Sequence, residues 1–203
     1  MFTVVRSALL FCVLLVSLNV ASAGKFNRQL SVGDIAPAWE SLPGVDDARH
    51  SFKDLRDAKL AAVVFACNHC PIMKSYEPIL IDLQKQYADR GVRVVAISCS
   101  LYEGDLLPAM KERAKTAGWN FPYLHDESQK IGRAYGATAT PQVFVLQPNR
   151  TLVYTGAIDN GMGKPSQADK HYLRDALDAL LAGREPEVTE TRAIGCGIVY
   201  EEE

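Results

Sequence analysis

Phe65-Ala66-Cys67-Asn68-His69-Cys70-Pro71 sets two cysteines three apart where an apolar run gives way to a helical pattern. Upstream, Leu60 to Ala66 (LAAVVFA) is short, continuously apolar and partly β-branched, which predicts a strand buried on both faces. From Asn68 onward, Ile72, Tyr76, Ile79, Leu80, Leu83 and Tyr87 recur at helical spacing, so Cys67 is expected where strand ends and helix begins. A helix N-terminus offers unpaired N–H groups and the positive end of its dipole, and both favour a thiolate over a thiol. Cys67 is therefore the candidate nucleophile. Cys70, one turn further on, is the thiol expected to attack a mixed disulfide at Cys67 and release the partner. His69 lies between them, and an imidazolium there would stabilise the Cys67 thiolate.

A Cys-x-x-Cys pair can also be half of a structural zinc site, but such a site needs two more ligands, usually a second close pair. The other cysteines are single (Cys12, Cys99, Cys196), and His50, His69, His125 and His171 are scattered. No metal is assigned to the site on this reading. Copper(I) or zinc held by the same thiols, with Cys99 or a histidine, stands as an alternative from a different functional class.

The chain has 203 residues, a formal charge of −2 and 48% hydrophobic content, which describes a globular protein able to bury a core and gives no net basicity for nucleic acid. Arg6, the apolar run Ala8 to Val20 and the small residues Ala21-Ser22-Ala23 read as a signal peptide over residues 1–23, cut after Ala23. The expected organisation is that peptide, a domain over 24–200, and an acidic end at 201–203. Retention of the first segment as an anchor is the other outcome; no later segment approaches the ~20 apolar residues a span requires. Cys12 would leave with the peptide, and Phe11 before it does not suit a lipoprotein cleavage pattern. Export to an oxidising compartment would let disulfides persist. The remaining four cysteines suit an active pair with two accessory thiols better than a disulfide scaffold.

Along the chain, Val32 to His50 suggests an N-terminal hairpin with a turn at Pro43-Gly44, followed by a helical turn at Phe52 to Arg56. Val92 to Ser98 is a second buried strand, entered through Gly91. A helix through Leu106, Leu107, Met110 and Ala114 ends at Gly118, Phe121 to Leu124 is a short strand, and Glu127 to Tyr135 is a helix closed by Gly136. Gln142 to Leu146 and Thr151 to Tyr154 form a hairpin, and Leu173 to Leu181 a last helix. Alternation of buried strands with helices demands an α/β sheet covered on both faces, with an antiparallel hairpin at one edge.

A redox Cys-x-x-Cys after a buried strand, with Thr140-Pro141 some seventy residues later before another strand, resembles the thioredoxin superfamily. Val32-Gly33-Asp34-Ile35-Ala36-Pro37-Ala38-Trp39 is similar to the opening of its redoxin branch, which includes the TlpA/ResA-like thiol-disulfide oxidoreductases and the alkyl hydroperoxide reductase/thiol-specific antioxidant (AhpC/TSA) proteins. Cys67-Asn68-His69-Cys70-Pro71, Phe121-Pro122-Tyr123-Leu124, Asp126-Glu127, Ala134-Tyr135-Gly136-Ala137 and Gly195-Cys196 look like an exported bacterial subgroup of that branch. The resemblance implies a thioredoxin-like fold with a central mixed sheet, a cis Pro141, and a groove shaped by Asn68, His69, Thr140 and Pro141 in which the backbone before the proline pairs with an extended substrate.

The implied activity is disulfide exchange with cysteine-containing protein clients through a redox-active Cys67–Cys70 disulfide, with no organic cofactor and a redox partner that resets the dithiol. The alternative is a peroxiredoxin-like thiol peroxidase. Peroxidases of the superfamily carry Thr or Ser three residues before the reacting cysteine, and Val64 stands here. Thioredoxins proper carry a buried acid six residues before it, and Ala61 stands here, so Glu77 or a water is the expected proton acceptor. Cys99, at the carboxyl end of its strand, and Cys196, between glycines, are candidate accessory thiols; a buried hydrophobe is the plainer reading of Cys99. Trp39, Tyr76 and Tyr123 are expected in the core or its rim, and Asp126 and Glu127 at a helix start.

Overall fold

A computed structural model describes residues 24–202, so the expected signal peptide and Glu203 lie outside the described residues. Two short strands, β1 (Leu42–Pro43) and β2 (Arg49–His50), form the expected N-terminal hairpin, and a 3-10 turn at Phe52–Leu55 follows. Strand β3 (Leu60–Phe65) is buried at every position. The chain continues through α1 (Pro71–Tyr87), β4 (Val92–Ser98), α2 (Leu107–Ala117), β5 (Tyr123–His125) and α3 (Lys130–Tyr135). Then come β6 (Ala139–Thr140), β7 (Gln142–Leu146), β8 (Leu152–Gly156), α4 (Tyr172–Leu181) and β9 (Cys196–Gly197).

The main sheet has the order β5-β4-β3-β7-β8. β3 runs parallel to β4 and antiparallel to β7, with Phe65 opposite Ile97 on one side and Gln142 on the other. Because β3 is central, its alternate side chains feed two separate cores. Leu60, Ala62 and Val64 pack with side chains of α1, α2 and α4, and Ala61, Val63 and Phe65 with Trp39, Leu55, Tyr135 and Phe144. Each fully enclosed large side chain of this kind contributes ~1.5–3 kcal/mol of burial. This is the mixed sheet with helices on both faces that the sequence predicts, and Trp39, Tyr76 and Tyr123 are buried as expected.

Two helix starts differ from the sequence reading. The redox helix begins at Pro71, not near Asn68: a proline fits the first helical turn and pushes the residue before it out of the α region, and Cys70 is extended (φ −70°, ψ 114°). α3 begins at Lys130, not Glu127, because Gln129 adopts a left-handed φ of 58°. The Asp126 carboxylate nevertheless accepts the N–H groups of Ile131 (2.8 Å) and Gly132 (3.0 Å), as an acid before a helix should. Gly118 ends α2 in the left-handed region (φ 71°), which a side chain would resist. The pairing of β6 with β9 has no counterpart in the sequence reading.

Candidate active site

The carboxyl end of β3 delivers Ala66 and Cys67 into a tight loop, and Cys70 caps α1. Thr140, just before the cis Thr140–Pro141 bond, meets both sulfurs. Its hydroxyl lies 3.1 Å from Cys67 Sγ, and its carbonyl accepts the Cys70 thiol at 3.1 Å. The Thr140–Pro141 bond is cis, as the resemblance implies. The two cysteines are free thiols.

The helix N-terminus serves Cys70 directly, and the N–H of its cap residue Cys70 also acts to lower Cys67. The Met73 N–H donates to Cys70 Sγ at 3.3 Å. The two thiols titrate as a pair. Cys70 is pulled down chiefly because the Cys67 thiol donates to its sulfur, against burial, with help from Cys196 and from the N–H groups of Met73 and Cys196. Cys67 is pushed up because Cys70 holds its proton, because it is buried, and because the Asp105 charge lies close.

Asp105 is the residue that sequence reasoning missed. It sits 0% exposed in a 3-10 turn at Glu103–Asp105 and accepts the backbone N–H groups of Asn68 (2.6 Å) and His69 (3.0 Å) on Oδ1. Its Oδ2 accepts the Ser100 hydroxyl at 2.6 Å and faces His69 Nδ1. Since a carboxylate only accepts, Nδ1 carries a proton, and Nε2 lies toward Cys67 Sγ, 3.9 Å away. Asn68 is fixed from both sides, its Nδ2 on the Gly104 carbonyl (2.8 Å) and its Oδ1 receiving the Tyr123 hydroxyl (3.2 Å). Glu77, the acid expected from sequence, is instead held at two points by Arg113. No local pattern marks Asp105, because its partners in the Cys67 loop lie 36 and 37 residues away.

The accessory thiols separate. Cys99 is buried with Tyr200, whose hydroxyl lies 3.9 Å from its sulfur, and burial pushes its thiol up to about 12. It does line the same cavity as Cys67. Cys196 lies in β9, opposite Thr140 across the β6–β9 pair, and packs against the core that holds Cys70. The strand edge that the resemblance gives to a client is thus covered by the chain's own Cys196–Gly197.

A cavity of about 470 Å³ opens on Cys67, lined also by His69, Leu101, Tyr102, Thr140 and Ile198. Tyr102 stands 64% exposed with its ring edge-on to His69, and Val199 is 82% exposed at the same mouth. Cys70 is wholly enclosed. Donor atoms of Cys67, His69 and Asp105 lie within 4.8 Å of one another, a set able to approach a cation, although the carboxylate already accepts four hydrogen bonds. Among the described residues, no helix is long and apolar enough to cross a membrane.

The profile of the AhpC/TSA family matches residues 32–155. A solved conserved protein of Geobacillus kaustophilus is 32% identical, with a TM-score of 0.79 over 87% of this chain and 96% of that one. A hypothetical protein of Sinorhizobium meliloti is 30% identical, with a TM-score of 0.78 over 87% and 98%. The thiol-disulfide oxidoreductase ResA of Bacillus subtilis is 27% identical over 146 residues, covering 71% of this chain and 77% of its own.

Proposed function

We infer, on the premise that this chain belongs to the AhpC/TSA family of the thioredoxin superfamily, that it is a thiol-disulfide oxidoreductase exchanging disulfides with protein clients through Cys67 and Cys70. The observation that carries this reading is the division between the two buried sulfurs: Cys67, 4% exposed, lines a cavity, while Cys70, 0% exposed, is enclosed behind it at the helix N-terminus. The Cys67 thiolate attacks one sulfur of a client disulfide, and the other leaves as thiolate. Cys70 then attacks Cys67 Sγ, the client's remaining sulfur leaves, and the Cys67–Cys70 disulfide forms. The client is reduced by two electrons and the pair oxidised by two; run backwards, the same steps oxidise a client.

His69 Nε2 receives the Cys67 proton, and Asp105 holds the ring in the tautomer that leaves Nε2 free. The apolar mouth at Tyr102 and Val199 suits a client with an apolar side chain beside its cysteine. No organic cofactor is required. The chain works after export, with residues 1–23 as its signal, and a second redox protein resets the pair.

A peroxidase reading keeps one supporting contact, the Thr140 hydroxyl beside Cys67, although Val64, three residues before Cys67, offers no hydrogen bond. The test of the main reading is a pair of variants assayed on insulin disulfides and by trapping. Cys70→Ser accumulates mixed disulfides through Cys67, and Cys67→Ser accumulates none and loses reduction. Retained insulin reduction in both variants would overturn the dithiol. Thiol-driven hydroperoxide turnover with a sulfenic acid trapped at Cys67 would put the peroxidase reading first.

A further inference from the structure

The family match ends at residue 155, and beyond it the chain returns to the thiols. β9 lies antiparallel on β6, with Cys196 opposite Thr140 and Gly197 opposite Ala139, and the Ile198 N–H bonds the Thr138 carbonyl at 3.0 Å. Gly195 makes the approach possible, since a Cβ there would sit 2.0 Å from the Thr140 carbonyl oxygen and 3.0 Å from Pro141 N. The same Thr140 carbonyl accepts the Cys70 thiol. Cys196 is thereby brought beside Cys70: it stands opposite Thr140 in the β6–β9 pair, packs on the core that contains Cys70, and lies close enough to lower the Cys70 thiol. Three cysteines thus gather around Thr140, Cys67 at its hydroxyl, Cys70 at its carbonyl and Cys196 across the strand pair, with a segment of the chain itself lying where a bound client strand would lie.

We propose that Cys196 is a third redox thiol, which attacks Cys70 in the Cys67–Cys70 disulfide, frees Cys67 and leaves a Cys70–Cys196 disulfide. The proposal rests on the dithiol reading above and gives the oxidised pair a second place to stand. The Cys67–Cys70 bond breaks as the Cys70–Cys196 bond forms. The electron pair departs on Cys67 Sγ beside the Thr140 hydroxyl and His69 Nε2, and the Cys196 proton goes to solvent, which reaches this partly buried residue. No outside oxidant is needed, because the client supplied the disulfide. In the dithiol form burial, and after it the neighbouring Cys70, push the Cys196 thiol up. Once Cys70 is a neutral disulfide its share of that shift is gone while burial remains, so Cys196 ionises more readily in the oxidised form than in the dithiol.

The experiment uses full-length mature protein and two measurements. In Cys67→Ser, which leaves β9 and Gly195 untouched, equilibration with glutathione disulfide should remove the Cys70 and Cys196 thiols together and link their peptides in a non-reducing map. In wild type given one equivalent of a disulfide client, Cys67 should become open to alkylation, and in Cys196→Ser it should stay closed. Cys70 and Cys196 recovered as free thiols or as separate glutathione adducts, or either joined to Cys99, would overturn the relay. Insulin reduction by wild type reports separately on the dithiol itself, so the two readings fail in different assays.

Discussion

Replacing Asp105 by Asn tests what the buried acid does to the nucleophile. Asn keeps the size and can still accept the Asn68 and His69 N–H groups on one oxygen, but it removes a full charge whose oxygen lies within 4.8 Å of Cys67 Sγ. At an effective dielectric of ~20, two unit charges at that distance repel by ~3.5 kcal/mol, or ~2.5 pKa units. Cys67 is pushed up in part by this charge, so its pKa should fall by up to about that amount. The Asn amide also makes His69 carry its proton on Nε2, where an N–H now faces the sulfur and stabilises the thiolate, an effect of the same sign. The titration is cleanest in a Cys70→Ser background, where the shared proton of the pair no longer intervenes. Thiolate absorbance and the pH profile of alkylation both read it. A Cys67 pKa that rises in the variant would refute the reasoning, since it would mean that Asp105 acts mainly by supporting an imidazolium against the thiolate.

Three further outcomes follow from the same geometry. Cys70 lies below the free-thiol value of 9.0 when folded, so between its folded pKa and ~9 the unfolded chain binds more protons and the stability of the reduced protein rises with pH; above ~9 the raised Cys67 reverses the slope. The difference in urea midpoint between reduced and oxidised protein should therefore peak near pH 9, and a flat difference from pH 5 to 9 on the order of error would contradict it. Gly195→Ala should cost ~1–3 kcal/mol or expel β9, read as a lower urea midpoint and faster alkylation of Cys196, because the atoms it strikes are backbone; wild-type values would show that β9 gives way freely. Reduced protein dialysed against zinc should retain none in stoichiometric amount, because the Asp105 lone pairs are already engaged, and retention abolished by His69→Ala would restore the metal reading.

How far the sequence carries depends on whether the information is local. β3 is an unbroken apolar run, β4, β7 and β8 are largely apolar runs of five to seven residues, and α4 shows its face at Leu173, Ala176, Leu177 and Leu180, so burial and period locate them. The start of α1 was also written locally, in Pro71, but apolar spacing weights side chains and passes over a backbone restriction. Asp105 and β9 are different in kind. A lone acid in a loop carries no mark of burial until β4 brings its turn over the Cys67 loop, and Cys196 gains its neighbours only through a two-residue pairing with a strand 56 positions earlier. Position at the carboxyl edge of the sheet favours Cys99 over Cys196 as a companion thiol, yet that edge is common to both sides of the strand. The Cys99 side chain turns to Tyr200 and the second core, and Cys196 arrives from the tail instead.

The helix terminus under Cys70 changes what distinguishes attacker from resolver. If ionisation alone chose the nucleophile, Cys70 would be first, but no client sulfur reaches a side chain with no exposed surface. On the proposed reading, the cavity selects Cys67, and ionisation then suits Cys70 to the second step, in which an internal thiolate must strike a mixed disulfide already seated above it. The proton shared between them keeps the waiting Cys67 protonated, and so slow toward oxidants and stray disulfides. It moves when a client draws the Cys67 proton toward His69 Nε2. Such an arrangement trades a fast thiolate at rest for a poised second step, which makes resolution, and with it release of the client, the step the surrounding residues are built to favour.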